Sequence, residues 1–540
     1  MSEALMTEIY NVFDPFDPPP REAYVDCKAV RGDWNVLTEL GRKIIRSKGP
    51  TCQLYTGHRG VGKSTELLQL QEALLKQKYF VVYFPADSED IDVEDTEYAD
   101  ILMACTKHLI KTINLEDQNP LKPLSNWLQK RAESLSKLLL TPLSFEGLSL
   151  EQQVLQVTKI TATLKAQPDN RAKIREEINA NAPSLLEVLN EFIDASKLAL
   201  QKKSFKDLVL MVDNLDRIVE KQKSPEEPTN YDEIFIKRNE QMRGLHCHAI
   251  YTVPLAMVYS DRCTQLQNNY NEADVLPMLM LQNEKGEKSA AGLAAFREVI
   301  AKRIALAKLD DDPQIGKKLA ESLETSVFES AEILERLCLM SGGHIRLLMK
   351  MIQKALDHTD NLPISKRAVN RAIADAKDEY LNIIFDDDWV RLAIVHLSKE
   401  ISNNSASRRL LSSRLVVEYR CRDVNENLKR WYDVHPLVQS LQQFKDALSV
   451  LSDIPKSSDT GDVDDIALAG MDNVYKLYEE ALKNNDYNEV VKIADMAYKM
   501  LDNIAESLDQ NKDRDTYRRI VALSSYWQLN KNLYISRSKS

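Results

Sequence analysis

The chemistry in this chain starts with nine residues, Gly57-His58-Arg59-Gly60-Val61-Gly62-Lys63-Ser64-Thr65. They fit the spacing G-x-x-x-x-G-K-[ST], which grips a triphosphate. Glycines let a loop wrap closely, and successive backbone N–H groups then point at phosphate oxygens. A helix starting at the lysine adds the positive end of its dipole. Lys63 can reach the β- and γ-phosphates, and Ser64 can ligate Mg2+, a small hard ion that takes oxygen ligands. The alternative, a chance glycine-rich turn, does not explain a strand-like run before the loop and a helical pattern after it.

A second signal lies about 150 residues downstream. Leu208-Val209-Leu210-Met211-Val212-Asp213 is an apolar strand ending in an acid. An acid at that end of a strand sits where open α/β sheets bind ligands, so Asp213 is expected to hold Mg2+ through its water shell. The next residue is Asn214, which cannot accept a proton but can orient water. Asp216 is then the candidate for the acid that activates water. A second reading makes Asp216 and Arg217 a local ion pair or cap. In that case hydrolysis is slow and the protein is a nucleotide switch, or a scaffold that holds nucleotide without hydrolysing it.

These residues need a frame to position them. Five short apolar runs read as buried parallel strands: Cys52–Thr56, Tyr79–Phe84, Leu208–Val212, Ala249–Val253 and Val275–Leu281. Helical stretches between them imply crossover connections and an α/β sheet. The gap from 86 to about 205 is too long for one crossover and reads as a helical insertion. Leu121–Leu140 and Leu185–Leu200 look helical, and the polar middle near 165–180 is a candidate for mobility. Residues 1–23, with Pro18, Pro19 and Pro20, read as an extended arm. The expected division is a core over 24–290, a helical lid over 291–385, a small unit over 386–440 and C-terminal helices over 441–540. Within the last, Ser452–Asp465 reads as an acidic linker.

On these motifs the chain resembles the P-loop ATPases of the AAA+ and STAND kind, including KAP-like members. The run Val212-Asp213-Asn214-Leu215-Asp216-Arg217-Ile218 is similar to the second nucleotide motif of that group, in which a second Asp follows the first by three. The resemblance implies a fold of class α/β: a parallel-sheet P-loop NTPase core of ASCE type with a helical insertion, helical lid, winged helix and C-terminal helices. It implies that Thr252 is the polar sensor beside the γ-phosphate. A lid arginine in Ser341-Gly342-Gly343-His344-Ile345-Arg346 would reach the same phosphate through Arg346. Val30 and Arg31 would border the adenine, and Arg262 or Arg243 would be a trans-acting finger. Many relatives carry Glu where this chain has Asn214, and an acid where it has Arg217.

Residues 388–440 resemble a winged helix: helices over Trp389–Ile401 and Ser405–Ser413, then strands over Leu415–Tyr419 and Arg430–Val434. From 389 to 440 there are nine Lys or Arg against five acids, a local charge of +4 in a chain of −11. Arg408, Arg409 and Arg414 lie where a recognition helix would touch DNA phosphates. The alternative is a protein joint whose arginines are solvated or paired.

The chain has 540 residues, 44 % hydrophobic and 28 % charged, with only 15 glycines, a composition that favours helix and a large core. No run of about 18 apolar residues predicts a membrane span. Seven scattered cysteines without a C-x-x-C pair fit reduced thiols in a cytoplasmic protein. His246 and His248 are not spaced with other ligands as a zinc site requires. The sequence thus predicts an ATP- and Mg2+-dependent ATPase that self-associates through its core and acts as a switch or motor. Such proteins resemble regulators of bacterial defence; the alternative is a DNA-associated ATPase of the replication or transposition loader type.

Overall fold

The computed structural model describes residues 3–113, 121–139, 143–145, 148–222, 224, 227–385, 388–401, 405–422, 425, 427–452, 474, 487–507 and 527. The chain forms two compact units, one of Phe16–Pro277 and one of Met1–Pro15 with Met278–Ser540.

The Phe16–Pro277 unit is built on five parallel strands: β1 (Cys52–Thr56), β2 (Phe80–Pro85), β3 (Leu208–Asp213), β4 (His248–Thr252) and β5 (Asp274–Val275), in the order β2-β3-β4-β1-β5. The runs read as strands because they are mostly apolar, and every residue of β3 and β4 is buried. Continuous apolar sequence is what a sheet covered on both faces requires. Register brings Pro85 opposite Asp213 and Val212 opposite Tyr251, so the C-terminal ends of β2, β3 and β4 line up on one edge. Of the run expected as a strand over Val275–Leu281 only Val275 is in a strand, where it makes up the two-residue β5 with Asp274. Pro277 has no N–H to give a neighbouring strand, and the chain leaves this unit there.

Helix α1 (Lys63–Lys76) follows β1, and a short helix α2 (Ala86–Glu89) follows β2. The insertion comprises α3 (Tyr98–Thr112), α4 (Lys122–Leu139), α5 (Leu150–Ala166), α6 (Pro168–Ala180) and α7 (Ala182–Lys202). The segment expected to be mobile near 165–180 is instead mostly α6. Its polarity misleads because two arginines point inward. Arg171, 3 % exposed, pairs with Asp95 at 2.6 Å and Asp92 at 3.0 Å. Arg175, 6 % exposed, pairs with Asp100 at 2.6 Å and Asp95 at 3.0 Å.

In the other unit, helices α8 (Ala290–Ile304), α9 (Ala331–Met340), α10 (Ile345–Leu356) and α11 (Lys366–Leu381) pack together. They lead into α12 (Asp388–Ser398), α13 (Ser405–Ser412) and an antiparallel ribbon of β6 (Val416–Arg422) and β7 (Leu428–Val434), the winged-helix order. The N-terminal segment corrects the expectation of an extended arm. Glu3–Asn11 is a helix, because Leu5 and Ile9 stand four apart on one buried face and Phe13 continues it. Arg303 donates to the carbonyls of Val12 (2.9 Å) and Asp14 (3.3 Å), closing the helix end before the prolines begin. The linker expected over Ser452–Asp465 and much of the C-terminal helical region fall outside the described residues, apart from a helix over Tyr487–Ser507.

Candidate functional site

The run Gly57–Thr65 leaves the C-terminal end of β1 and enters α1 at Lys63. Gly57, Gly60 and Gly62 have φ of 149°, 82° and 108°, which side chains rarely adopt. A Cβ on Gly57 would also lie 3.0 Å from the Leu276 carbonyl oxygen. The loop is clamped from behind by Arg31, which is 2 % exposed. Its guanidinium donates to the Val61 carbonyl at 2.8 Å and the Pro277 carbonyl at 2.6 Å. Val30 is buried beside it. Arg31 therefore braces the loop. Glu66, one turn into α1, is pushed above its ordinary pKa by burial, against the pull of Arg31.

Lys63 is folded back into its own loop. Its Nζ donates to the carbonyls of Gly57 (2.8 Å) and His58 (3.1 Å) and pairs with Asp216 Oδ2 at 2.9 Å, both side chains 6 % exposed. The other Asp216 oxygen, Oδ1, is buried without a hydrogen-bond partner among the described residues. Asp216 and Arg217 do not pair with each other. Asp216 holds Lys63, whereas Arg217 Nη1 meets Asp87 Oδ2 at 2.6 Å. The Arg217 carbonyl accepts from the exposed Arg59 at 2.8 Å.

Asp213 is fully buried at the end of β3. Its Oδ2 accepts from the Tyr83 hydroxyl at 2.9 Å and its Oδ1 from the Asn214 N–H at 2.8 Å. The Ser64 side chain lies near enough to this carboxylate to lower its pKa. Burial, then repulsion from Asp216, raises its pKa above the usual carboxylate value, against the lowering effect of those hydrogen bonds. The same burial and the Asp213 charge raise the Tyr83 phenol. Asn214 adopts a left-handed φ of 66°, which Asn tolerates, and its Nδ2 donates to Asp87 Oδ1 at 2.7 Å. Thr252, at the end of β4, accepts from the Leu215 N–H at 2.9 Å and donates to the Val212 carbonyl at 3.4 Å. Its hydroxyl is thus spent on shaping the turn that carries Asn214.

The edge so formed collects a glycine loop, a buried ammonium paired with one buried carboxylate, and a second buried carboxylate at the end of β3. Comparison with known proteins adds little to it. No protein-family model matches the sequence, and no curated protein matches it. Solved structures with a similar arrangement include Cdc6p from Pyrobaculum aerophilum, at 12 % identity and a TM-score of 0.34, covering 81 % of this chain and 97 % of that one. The Aeropyrum pernix ORC1 protein in complex with DNA gives 12 % and 0.34, covering 82 % and 96 %. The Aeropyrum pernix ORC2 protein in its ADP form gives 12 % and 0.37, covering 81 % and 97 %. At these scores the likenesses carry no inference about activity.

Among the residues singled out from sequence, Gly57 to Thr65, Asp213, Asn214, Asp216 and Thr252 share one sheet edge, with Thr65 half-buried in the first turn of α1. Arg346 belongs to the other unit, where its Nε donates to the Pro15 carbonyl at 2.9 Å. Arg262 is held by Asp232 at 2.6 Å and Glu220 at 2.7 Å, which occupies the guanidinium a trans-acting finger would need. Arg409 pairs with Asp388 and lies 4.4 Å from the Phe385 ring centre, and Arg414 Nη1 is 3.5 Å from His344 Nε2. Two residues of the sheet edge, Tyr83 and Asp87, escaped the sequence reading. The signal was available: Ala86-Asp87 follows an apolar strand, as Asp213 does.

The oxygens present fit a small hard cation. Ser64 lies near Asp213, and Asp216 offers a buried oxygen without a hydrogen-bond partner among the described residues. Among the described residues no group of three or more His, Cys, Asp or Glu could enclose a metal by itself. Mg2+ commonly takes one or two protein oxygens and completes its shell with phosphate and water. Among the same residues no helix is long and apolar enough to cross a membrane, and all seven cysteines are free thiols.

Proposed function

We propose that the Phe16–Pro277 unit binds ATP on the loop Gly57–Thr65 and hydrolyses it slowly, and that the protein is a nucleotide-driven switch. The observation that carries this reading is the state of Lys63. A buried ammonium rests on two loop carbonyls and one carboxylate, at the mouth of a loop whose glycines allow close approach. A triphosphate would offer Lys63 the same kind of partner with more charge. Lys63 would exchange Asp216 for β- and γ-phosphate oxygens, and the freed carboxylate would face the reacting end. Mg2+, held by Ser64 and Asp213, would neutralise phosphate charge when bound. Asn214 would orient the attacking water without taking its proton.

The left-handed turn at Asn214, fixed by Thr252, supports a role in positioning. The absence of a carboxylate at that position supports a slow rate. Closure through Arg346 of the lid and self-association through the core belong to the same proposal. So do kinship with AAA+ and STAND ATPases and a place in bacterial defence, which rest on the motifs alone. The test is binding of a fluorescent ATP analogue and phosphate release by the full chain, with Lys63→Ala as control. Retained binding in that variant would refute the assignment.

A second reading, a DNA-associated ATPase, is favoured by one observation. The ribbon β6–β7 follows two helices in winged-helix order, and β7 exposes Lys429 and Arg430. Arg408, Arg409 and Arg414 remain its proposed phosphate contacts. Salt-dependent duplex binding that stimulates phosphate release is the measurement that would favour it.

A further inference from the structure

Asn214 stands where a water-activating acid is expected, and its amide needs a fixed orientation to be of use. The structure supplies one. Asp87, in α2 at the end of the neighbouring strand, accepts from Asn214 Nδ2 at 2.7 Å through Oδ1. Its other oxygen pairs with Arg217 at 2.6 Å. A carboxylate beside an amide leaves no ambiguity about which end faces it, because the amide oxygen would be repelled. The Asn214 oxygen must therefore turn the other way and present an acceptor.

The short helix carrying Asp87 is gripped at both ends by the insertion. Lys165 of α5 donates to the carbonyls of Asp87 and Ser88, each at 2.7 Å. Beyond it, Asp90 is fully buried and takes Lys107 Nζ at 2.7 Å and His108 Nε2 at 2.8 Å, both from α3. The His108 ring stacks on Phe84 of β2 at 3.9 Å and 5°. Three side chains from two insertion helices thus fix a four-residue turn whose outward carboxylate fixes Asn214. All of these contacts lie within one compact unit.

We infer that Asp87 is a positioning residue for ATP hydrolysis, acting through the Asn214 amide, and that the helical insertion is its mount. This rests on the reading of the site given above. In the step it serves, the water oxygen bonds to the γ-phosphorus and the bond to the β–γ bridging oxygen breaks. The proton leaves on a phosphate oxygen, and neither Asp87 nor Asn214 takes it.

The experiment is single-turnover phosphate release and ATP-analogue binding by the full chain, for wild type, Asp87→Ala, Asp87→Glu, Asn214→Ala, the Asp87→Ala/Asn214→Ala pair and Lys165→Met. Asp87→Ala should lower the rate constant on the order of 10- to 100-fold with Kd within about threefold, the loss of aim in a water-orienting group. Asp87→Glu should restore part of the rate, and Lys165→Met should lower it less than Asp87→Ala. The double variant should be no slower than the slower single one, since the two act as one unit. Wild-type turnover in Asp87→Ala overturns the inference alone, as does a parallel collapse of Kd, which marks a merely structural residue. Wild type that binds nucleotide but releases no phosphate overturns the hydrolytic reading, and this inference with it.

Discussion

Replacing Asp216 with Asn should make ATP bind more tightly while making the empty protein less stable. The pair Lys63–Asp216 is 2.9 Å long with both side chains 6 % exposed. Severing a buried pair by deleting one partner costs about 3–5 kcal/mol, because the other charge is left buried. Asn keeps the shape and an acceptor oxygen and loses only the charge, so the expected cost to the empty state is about 2 kcal/mol, below that range. A triphosphate restores negative charge beside Lys63. The wild-type protein must also leave Asp216 as a bare carboxylate near the phosphates, whereas the variant does not. The cost therefore returns as affinity, and 2 kcal/mol corresponds to about 30-fold in Kd. Calorimetric titration of ATP in EDTA, with melting of the empty protein in parallel, reads both quantities. Equal or weaker ATP binding by a folded Asp216→Asn protein would refute the reasoning, as would a gain that persists in a Lys63→Ala background.

Three further outcomes can be checked directly. Lys63→Ala should weaken ATP binding about 100-fold or more, since two charge-assisted hydrogen bonds are lost at roughly 1.5–3 kcal/mol each, and titration reads it. Asp274 is raised to about 6, chiefly by burial and against the pull of Lys43 at 2.7 Å. A folded-state pKa above the unfolded one means that stability is lost as pH rises through the two, so the melting free energy of Asp274→Asn relative to wild type should improve by about 2 kcal/mol from pH 4 to pH 6 and level off above about pH 7. A gap that is flat with pH refutes it. Arg409→Ala strands the buried Asp388 carboxylate; Arg409 is 33 % exposed, so the expected cost to the Met278–Ser540 unit is reduced to about 2 kcal/mol, and an unchanged melting curve would contradict the pairing.

The sheet was legible because most of its strands are short, largely apolar runs, and the loop because glycine and lysine spacing is set by the ligand it would grip. Polar groups that turn inward were not legible. Arg171 and Arg175 look like surface charge until Asp92, Asp95 and Asp100, some 75 to 80 positions away, come to meet them. Asp216 had two readings from sequence and the structure gave it a third partner, Lys63, because a tight turn after β3 folds it back over the loop. Asp87 was missed because its partner Asn214 is 127 positions distant. The N-terminal helix was overlooked because four prolines downstream outweighed a single buried pair, Leu5 and Ile9.

That N-terminal helix has a consequence for how the chain is made. Its packing surface is encoded after Met278, in the unit it shares, so it leaves the ribosome long before that surface does. At synthesis rates of roughly 5–20 residues per second, it waits on the order of tens of seconds, with Leu5, Ile9 and Phe13 uncovered, while the nucleotide unit is completed. A chain shortened to begin at Phe16 would keep the glycine loop and its sheet whole and leave the seat of the missing helix bare on the other unit.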